Sequence, residues 1–276
     1  MVLLSVSVLK AQGQPDYETI EVADNVYIFR YGGSQSMFLV TPEGVIATDP
    51  INAQASRVYM EEIRKLTSEP VRYVVYSHHH LDHVSGGAVF KEAGATFVAQ
   101  RQAKAALLSL DSPNVVIPDL LVDDQSVLTL GGMELELNFV GRNHSDNSLV
   151  MRVPDAGVIF AVDFLPVREL PFRNFPDSYL LEYFESIDRV LAMDWDRMIA
   201  GHSRQGGIGT KDDIRALKVY LDELFALVRT ANAEGQCFDQ AFEEIQLPSV
   251  ATDWIRQEFL PGNIERMCYF FRNGYR

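Results

Sequence analysis

His78-His79-His80-Leu81-Asp82-His83 follows the apolar run Val71-Arg72-Tyr73-Val74-Val75-Tyr76 and spells H-x-H-x-D-H. Only six histidines occur in the whole chain, and this window holds His78, His79, His80 and His83. Imidazoles and a carboxylate packed this closely are costly to bury or charge alone, and divalent cations satisfy them together. A histidine-rich surface loop is the competing reading, and the clustering favours a metal. Extended backbone alternates its side chains, so His78 and His80 share a face while His79 turns away from it. Asp82 and His83 fall beyond the bend, where they can serve a second ion.

Outward from this window the pattern is that of a layered α/β fold. Residues 18–22, 26–30, 36–41 and 44–49 alternate and are parted by Gly32-Gly33 and Pro42-Glu43-Gly44, as antiparallel strands joined by tight turns are. Residues 53–66 change to helical period, and 71–76 read as a buried strand that delivers the histidines into a strand-to-helix loop. A short helix ending near Gly94, a strand over 96–99 and a helix over 102–110 follow. Residues 133–140 form a half-buried strand running into Asn143-His144; 148–153 and 158–162 are strands, the second delivering Asp163. A helix over 179–193 and a strand over 197–200, which delivers Gly201-His202, complete this part. From Thr210, a candidate cap for Asp213, the pattern is helical almost to the end. The order predicts a four-layer αββα sandwich over residues 15–209, with a helical segment over 210–276 packed on it.

Composition narrows the function. The 276 residues are 47% hydrophobic and 22% charged, ordinary for a soluble globular chain, with a net charge of -14. That charge opposes a phosphate backbone, so nucleic acid is not an expected partner. No long apolar run beyond the start predicts a membrane span. Residues 1–14 read either as the remnant of a secretory signal lacking its basic region or as an opening strand, which leaves a periplasmic or secreted location and a cytoplasmic one both open. Cys237 and Cys268 lie far from every histidine and read as small buried apolar residues rather than ligands. The apolar stripe Ile214, Leu217, Leu221, Leu224 and Val228 reads as core-facing.

With His144, Asp163 and Gly201-His202 added in order, the chain resembles the metallo-β-lactamase superfamily over about residues 26–202. The resemblance implies a first metal held by His78, His80 and His144, a second held by Asp82, His83 and His202, and Asp163 bridging both. Asp49, at the end of its own strand, resembles an aspartate that supports a metal-bound histidine. The implied cofactors are two Zn2+, with iron or manganese as alternatives. The implied activity is hydrolysis of a small carbonyl substrate, a β-lactam, lactone or ester, by hydroxide generated at the metals, with Asp82 orienting it. Arg168 is a candidate for a substrate carboxylate; a solvated or ion-paired arginine is its ordinary reading.

Departures from relatives widen the substrate question. One group of zinc β-lactamases places a cysteine where Asp163 stands, and a bridging aspartate resembles glyoxalase II and the lactonases instead. A thioester hydrolase of the glyoxalase II kind needs a basic glutathione surface, of which the acidic C-terminal part shows no sign. An iron-dependent persulfide dioxygenase uses fewer ligands than are present here. Asn147 stands where relatives carry a smaller residue, so the turn around His144 is expected to differ. Loops over 111–118 and 166–177 are expected to shape the pocket.

Overall fold

A computed structural model describes residues 16–202, 207–238 and 244–274. The stretch read as a signal remnant or opening strand lies outside them. The first half opens as a meander of β1 (Tyr17–Ala23), β2 (Val26–Tyr31), β3 (Ser34–Thr41) and β4 (Gly44–Thr48). The two-residue β5 (Ile51–Asn52) leads into α1 (Ala53–Leu66), where the Asn52 side chain accepts from the backbone N–H groups of Gln54 and Ala55 and so caps the helix. β6 (Val71–Val75) returns parallel to β4, α2 (Leu81–Val84) and α3 (Gly87–Glu92) follow the histidines, and β7 (Thr96–Gln100), α4 (Arg101–Ser109) and β8 (Leu120–Val122) finish a seven-stranded sheet ordered β1-β2-β3-β4-β6-β7-β8.

The second sheet has six strands, ordered β14-β13-β12-β11-β10-β9. They are β9 (Gln125–Leu130), β10 (Met133–Phe139), β11 (Leu149–Val153), β12 (Val158–Ala161), β13 (Arg197–Ala200) and β14 (Ile208–Gly209). α5 (Leu180–Ala192) links β12 to the parallel β13, and α6 (Lys211–Ala233) starts with the expected capping box between Thr210 and Asp213. α7 (Leu260–Asn273) closes the described chain.

Three apolar clusters make the four layers. Ile28, Met37, Leu39 and Ile46 of the first sheet meet Leu135, Leu137, Met151 and Phe160 of the second. Tyr59 and Ile63 of α1 cover the far face of the first sheet with Phe90, and Tyr183, Ile187, Leu217, Leu221 and Met267 cover the second. The fold is the four-layer αββα sandwich expected from the element order.

Three features differ from the reading of the sequence. β8 and β9 fall in a stretch that carries no clear strand pattern, because Gln125 to Val127 are exposed and the period-2 signal is lost. The helical continuation past α6 is broken: among helical elements residues 245–259 hold only short 3-10 turns, Ser249–Ala251 and Gln257–Phe259, before α7. Cys237 and Cys268 are buried as expected, but they are joined in a disulfide across 31 positions. No period or spacing in the chain announces that pairing. Cross-linking a loop of this length stabilises the fold by about 3–4 kcal/mol in the chain-entropy account. Cys237→Ser and Cys268→Ser are therefore expected to lower Tm by roughly 6–12 °C under oxidising conditions. Equal melting of wild type with and without reductant would count against the bridge.

Candidate metal centre

Parallel pairing aligns the C-terminal ends of β4 with β6 and of β12 with β13, so the loops after these strands open on one edge of the sandwich. Asp49 follows β4, the histidine window follows β6, Asp163 follows β12 and His202 follows β13. His144 comes from the loop after β10. Two strand-end aspartates have left-handed backbone, Asp49 at φ 27° and Asp163 at φ 68°, a conformation that only a few residue types tolerate and that sites retain.

The structure brings the seven candidate ligands into two overlapping groups. In one, His78, His80, His144 and Asp163 present donor atoms within 4.8 Å of one another; in the other, Asp82, His83, Asp163 and His202 do the same. Asp163 belongs to both. Its Oδ2 lies 3.6 Å from His78 Nε2, 3.4 Å from His144 Nε2 and 3.2 Å from His83 Nε2, and its Oδ1 lies 3.4 Å from His202 Nε2. His202 Nε2 is also 3.3 Å from Asp82 Oδ2.

Hydrogen bonds on the outer nitrogens decide which atoms point inward. Asp49 is fully buried and accepts from Ser77 N–H and from the Ser77 hydroxyl, both at 2.6 Å, and from His83 Nδ1–H at 3.0 Å. Because Ser77 Oγ gives its proton to Asp49, it accepts from His78 Nδ1–H at 3.0 Å. His202 Nδ1–H donates to the Gly33 carbonyl at 3.2 Å. His78, His83 and His202 therefore each turn an Nε2 lone pair into the site. His78 Nε2 and Asp163 Oδ1 are buried and have no hydrogen-bond partner among the described residues. Orphaned acceptors at the meeting point of five imidazoles and two carboxylates fit divalent cations, and their nitrogen and oxygen chemistry suits zinc.

Electrostatics divide the imidazoles. Burial, reinforced by His83, drives His78 well below the ordinary histidine value, and burial brings His144 to about 4. Burial also opposes charge on His83, but Asp163 and Asp49 outweigh it and hold that imidazole well above the ordinary value. His202 is raised against its burial by Asp163 and Asp82. Asp163 resists burial through His202 and His83 and lies well below the carboxylate range, and Asp82 is brought to about 2 against its burial by His202 and His83. The carboxylates thus favour positive charge at His83 and His202, the charge that a cation binding there would supply instead.

The second-sheet motif is stitched to the first sheet. Gln35 N–H donates to Gly201 O at 2.7 Å, Gln35 Nε2 donates to Ala200 O at 2.7 Å, and Ser34 bridges to His202. Gly201 is required by space: a Cβ there would meet Val162 Cγ1 at 2.3 Å.

His79 stands in neither of these two groups, but with His80 and Asp177 it forms a third cluster whose donor atoms lie within 4.8 Å of one another. Its backbone N–H donates to Asn147 Oδ1 at 3.1 Å, and its ring Nδ1 accepts from Asn147 Nδ2 at 2.9 Å, so the fully buried Asn147 ties the two histidine loops together. Asp177, which no motif signals, brings Oδ2 within 3.5 Å of His80 Nε2. Arg168 pairs with Asp253 on the surface, its ordinary reading, and does not line the cavity; Arg256 does. The 166–177 loop shapes that cavity of ≈ 300 Å³ through Pro166, Glu169, Leu170, Phe172 and Pro176.

The metallo-beta-lactamase superfamily model matches residues 30–202, and the chain belongs to that superfamily. It is 25% identical over 194 residues to the 2,4-dinitroanisole O-demethylase subunit alpha of Nocardioides sp. (strain JS1661), covering 68% of this chain and 58% of that one. The chain thus spans less than two thirds of that relative. Over 184 residues it is 25% identical to the metallo-beta-lactamase type 2 of Bacillus cereus, covering 64% of this chain and 69% of that protein. Among solved structures, the metallo-beta-lactamase from Pontibacter korlensis superposes with a TM-score of 0.66 at 18% identity, covering 75% of this chain and 99% of its own. The metallo-beta-lactamase IND-7 does so at 0.64 and 21%, covering 74% and 98%. Among the described residues no helix is long and apolar enough to cross a membrane.

Proposed function

We propose that the protein is a dinuclear zinc hydrolase of a small carbonyl substrate, a β-lactam, lactone or ester. The observation that carries the reading is the convergence of His78, His83 and His202 Nε2 on Asp163, with every outer nitrogen already committed. His78, His80, His144 and Asp163 would hold one cation, and Asp82, His83, Asp163 and His202 the other. Bound there, divalent cations supply Lewis acidity, which yields hydroxide near about pH 7 and polarises a carbonyl.

The chain's own groups manage position and protons. Asp82, at the rim with 59% of its side chain exposed, orients the attacking water and receives a proton from it. The water oxygen bonds to the carbonyl carbon, the carbon–oxygen or carbon–nitrogen bond to the leaving group breaks, and Asp82 passes its proton to the leaving atom. Leu165, Leu170 and Phe259 exclude bulk water from one side. The disulfide supports an oxidising compartment, where such bridges persist.

Metal analysis with a substrate screen tests the reading. Two zinc ions per chain are expected, with turnover of at least one β-lactam, lactone, ester or thioester and no oxygen uptake. 2,4-Dinitroanisole belongs in the screen because a relative is named for it. One iron with sulfur-dependent oxygen consumption would replace the hydrolase reading by a dioxygenase.

A further inference from the structure

The family match ends at residue 202, yet residues beyond it complete the cavity wall: Arg256 and Phe259 line the same space as Asp82, Asp163 and His202. The tail reaches this place through its backbone. Leu170 N–H donates to Ile255 O at 3.1 Å and Ile255 N–H donates to Arg168 O at 3.2 Å, a parallel bridge that seats the tail on the 166–177 loop. The disulfide to Cys268 ties down the helix that follows. Arg256, left-handed at φ 66°, then donates from Nε to the buried Glu169 Oε2 at 3.3 Å and stacks its guanidinium 5.2 Å from the Phe259 ring centroid. Phe259 in turn meets Phe172 edge to face at 5.3 Å, beside Leu165 and Leu170.

Charge decides what such a wall accepts. Among the described lining residues Arg256 is the one arginine or lysine, and Glu169 already matches its charge. An anion pressed against this wall, away from the metal ligands, loses hydration without a spare arginine or lysine to pair with, whereas a ring gains by burying apolar area. Arg173 stacks on Phe172 at 5.9 Å but does not line the cavity.

We infer, on the hydrolytic reading above, that the C-terminal segment selects the substrate, an uncharged lactone or ester carrying an aromatic group that packs against Phe172 and Phe259. Arg256 is a positioning residue for Phe259. β-Lactams, which carry a carboxylate, fall outside the favoured class.

The test compares the zinc-loaded full chain on γ-phenyl-γ-butyrolactone, on its 4-carboxyphenyl counterpart and on unsubstituted γ-butyrolactone. The phenyl lactone is expected to exceed both others in kcat/KM by about ten-fold or more. Phe172→Ala and Phe259→Ala each cut that preference several-fold through KM, and Phe259→Leu keeps most of it. Equal turnover of the three lactones, preference for the carboxylate, or a preference untouched in both alanine variants overturns the inference. Calorimetric binding of acetophenone gives a readout without turnover, expected to weaken about five- to ten-fold in Phe259→Ala. If wild type turns over no β-lactam, lactone, ester or thioester, the hydrolase reading fails by itself. Acetophenone affinity unchanged in both alanine variants then overturns the wall.

Discussion

His80→Ala and Asp82→Ala each lose at least about a thousand-fold in kcat/KM on whatever lactone or ester the wild type opens, and both still melt cooperatively. A Lewis-acid cation contributes several kcal/mol to the transition state, and each 1.4 kcal/mol is about ten-fold in rate. His80 belongs to one donor group and Asp82 to the other, so the two substitutions disable different halves of the site. Both side chains lie at the rim, 24% and 59% exposed, and leave no large cavity when truncated. Steady-state kinetics with metal analysis of each purified variant checks this. Full activity in both variants would sink the hydrolytic mechanism.

Asp49→Ala is expected to act on stability and metal together. The carboxylate is fully buried and accepts from three donors, Ser77 N–H, the Ser77 hydroxyl and His83 Nδ1–H. Removing it strands them, at about 1–3 kcal/mol for each buried group left unsatisfied. The total expected loss is about 3–5 kcal/mol in unfolding free energy. His83 also loses the acceptor that aims Nε2 inward, and the loss of such a partner typically lowers metal affinity by about 10–100-fold. Asp49→Asn keeps the volume but turns an amide donor toward groups that are themselves donors, so it recovers packing without restoring the metal. Denaturant unfolding and zinc titration read the two effects separately. Two tightly held zinc ions in Asp49→Ala would show that His83 needs no orienting acceptor.

The fold and the ligand candidates are legible in the sequence where their cause is local. Period 2 and period 3.6 mark the strands and helices with a buried face, and His144, Asp163 and His202 each follow an apolar strand, so they are readable with the H-x-H-x-D-H window. What escaped depends on long-range contact. β9 exposes both faces at its start, so its pairing with β10 leaves no period. The Cys237–Cys268 bridge and the Asp177 contact with His80 join segments whose approach is set by packing. Arg168 and Arg256 show the same limit. An arginine close to Asp163 in sequence faces Asp253 on the surface, while one 93 positions from Asp163 lines the cavity, because the tail bridges onto the intervening loop.

The stitching of Gly201-His202 onto Ser34-Gln35 bears on when the protein can acquire its cations. The H-x-H-x-D-H window is continuous in the chain, so a newly made first half already offers a local chelator. His202 reaches its place only when the second sheet docks and its loop bonds to Gly33, Ser34 and Gln35. Both donor groups also draw on the second sheet, one through His144 and Asp163 and the other through Asp163 and His202, so neither is complete before the halves join. On the proposed reading, full cation capture would follow the joining of the halves, and a chain that fails to join them would offer its metal only the open donors of the first half.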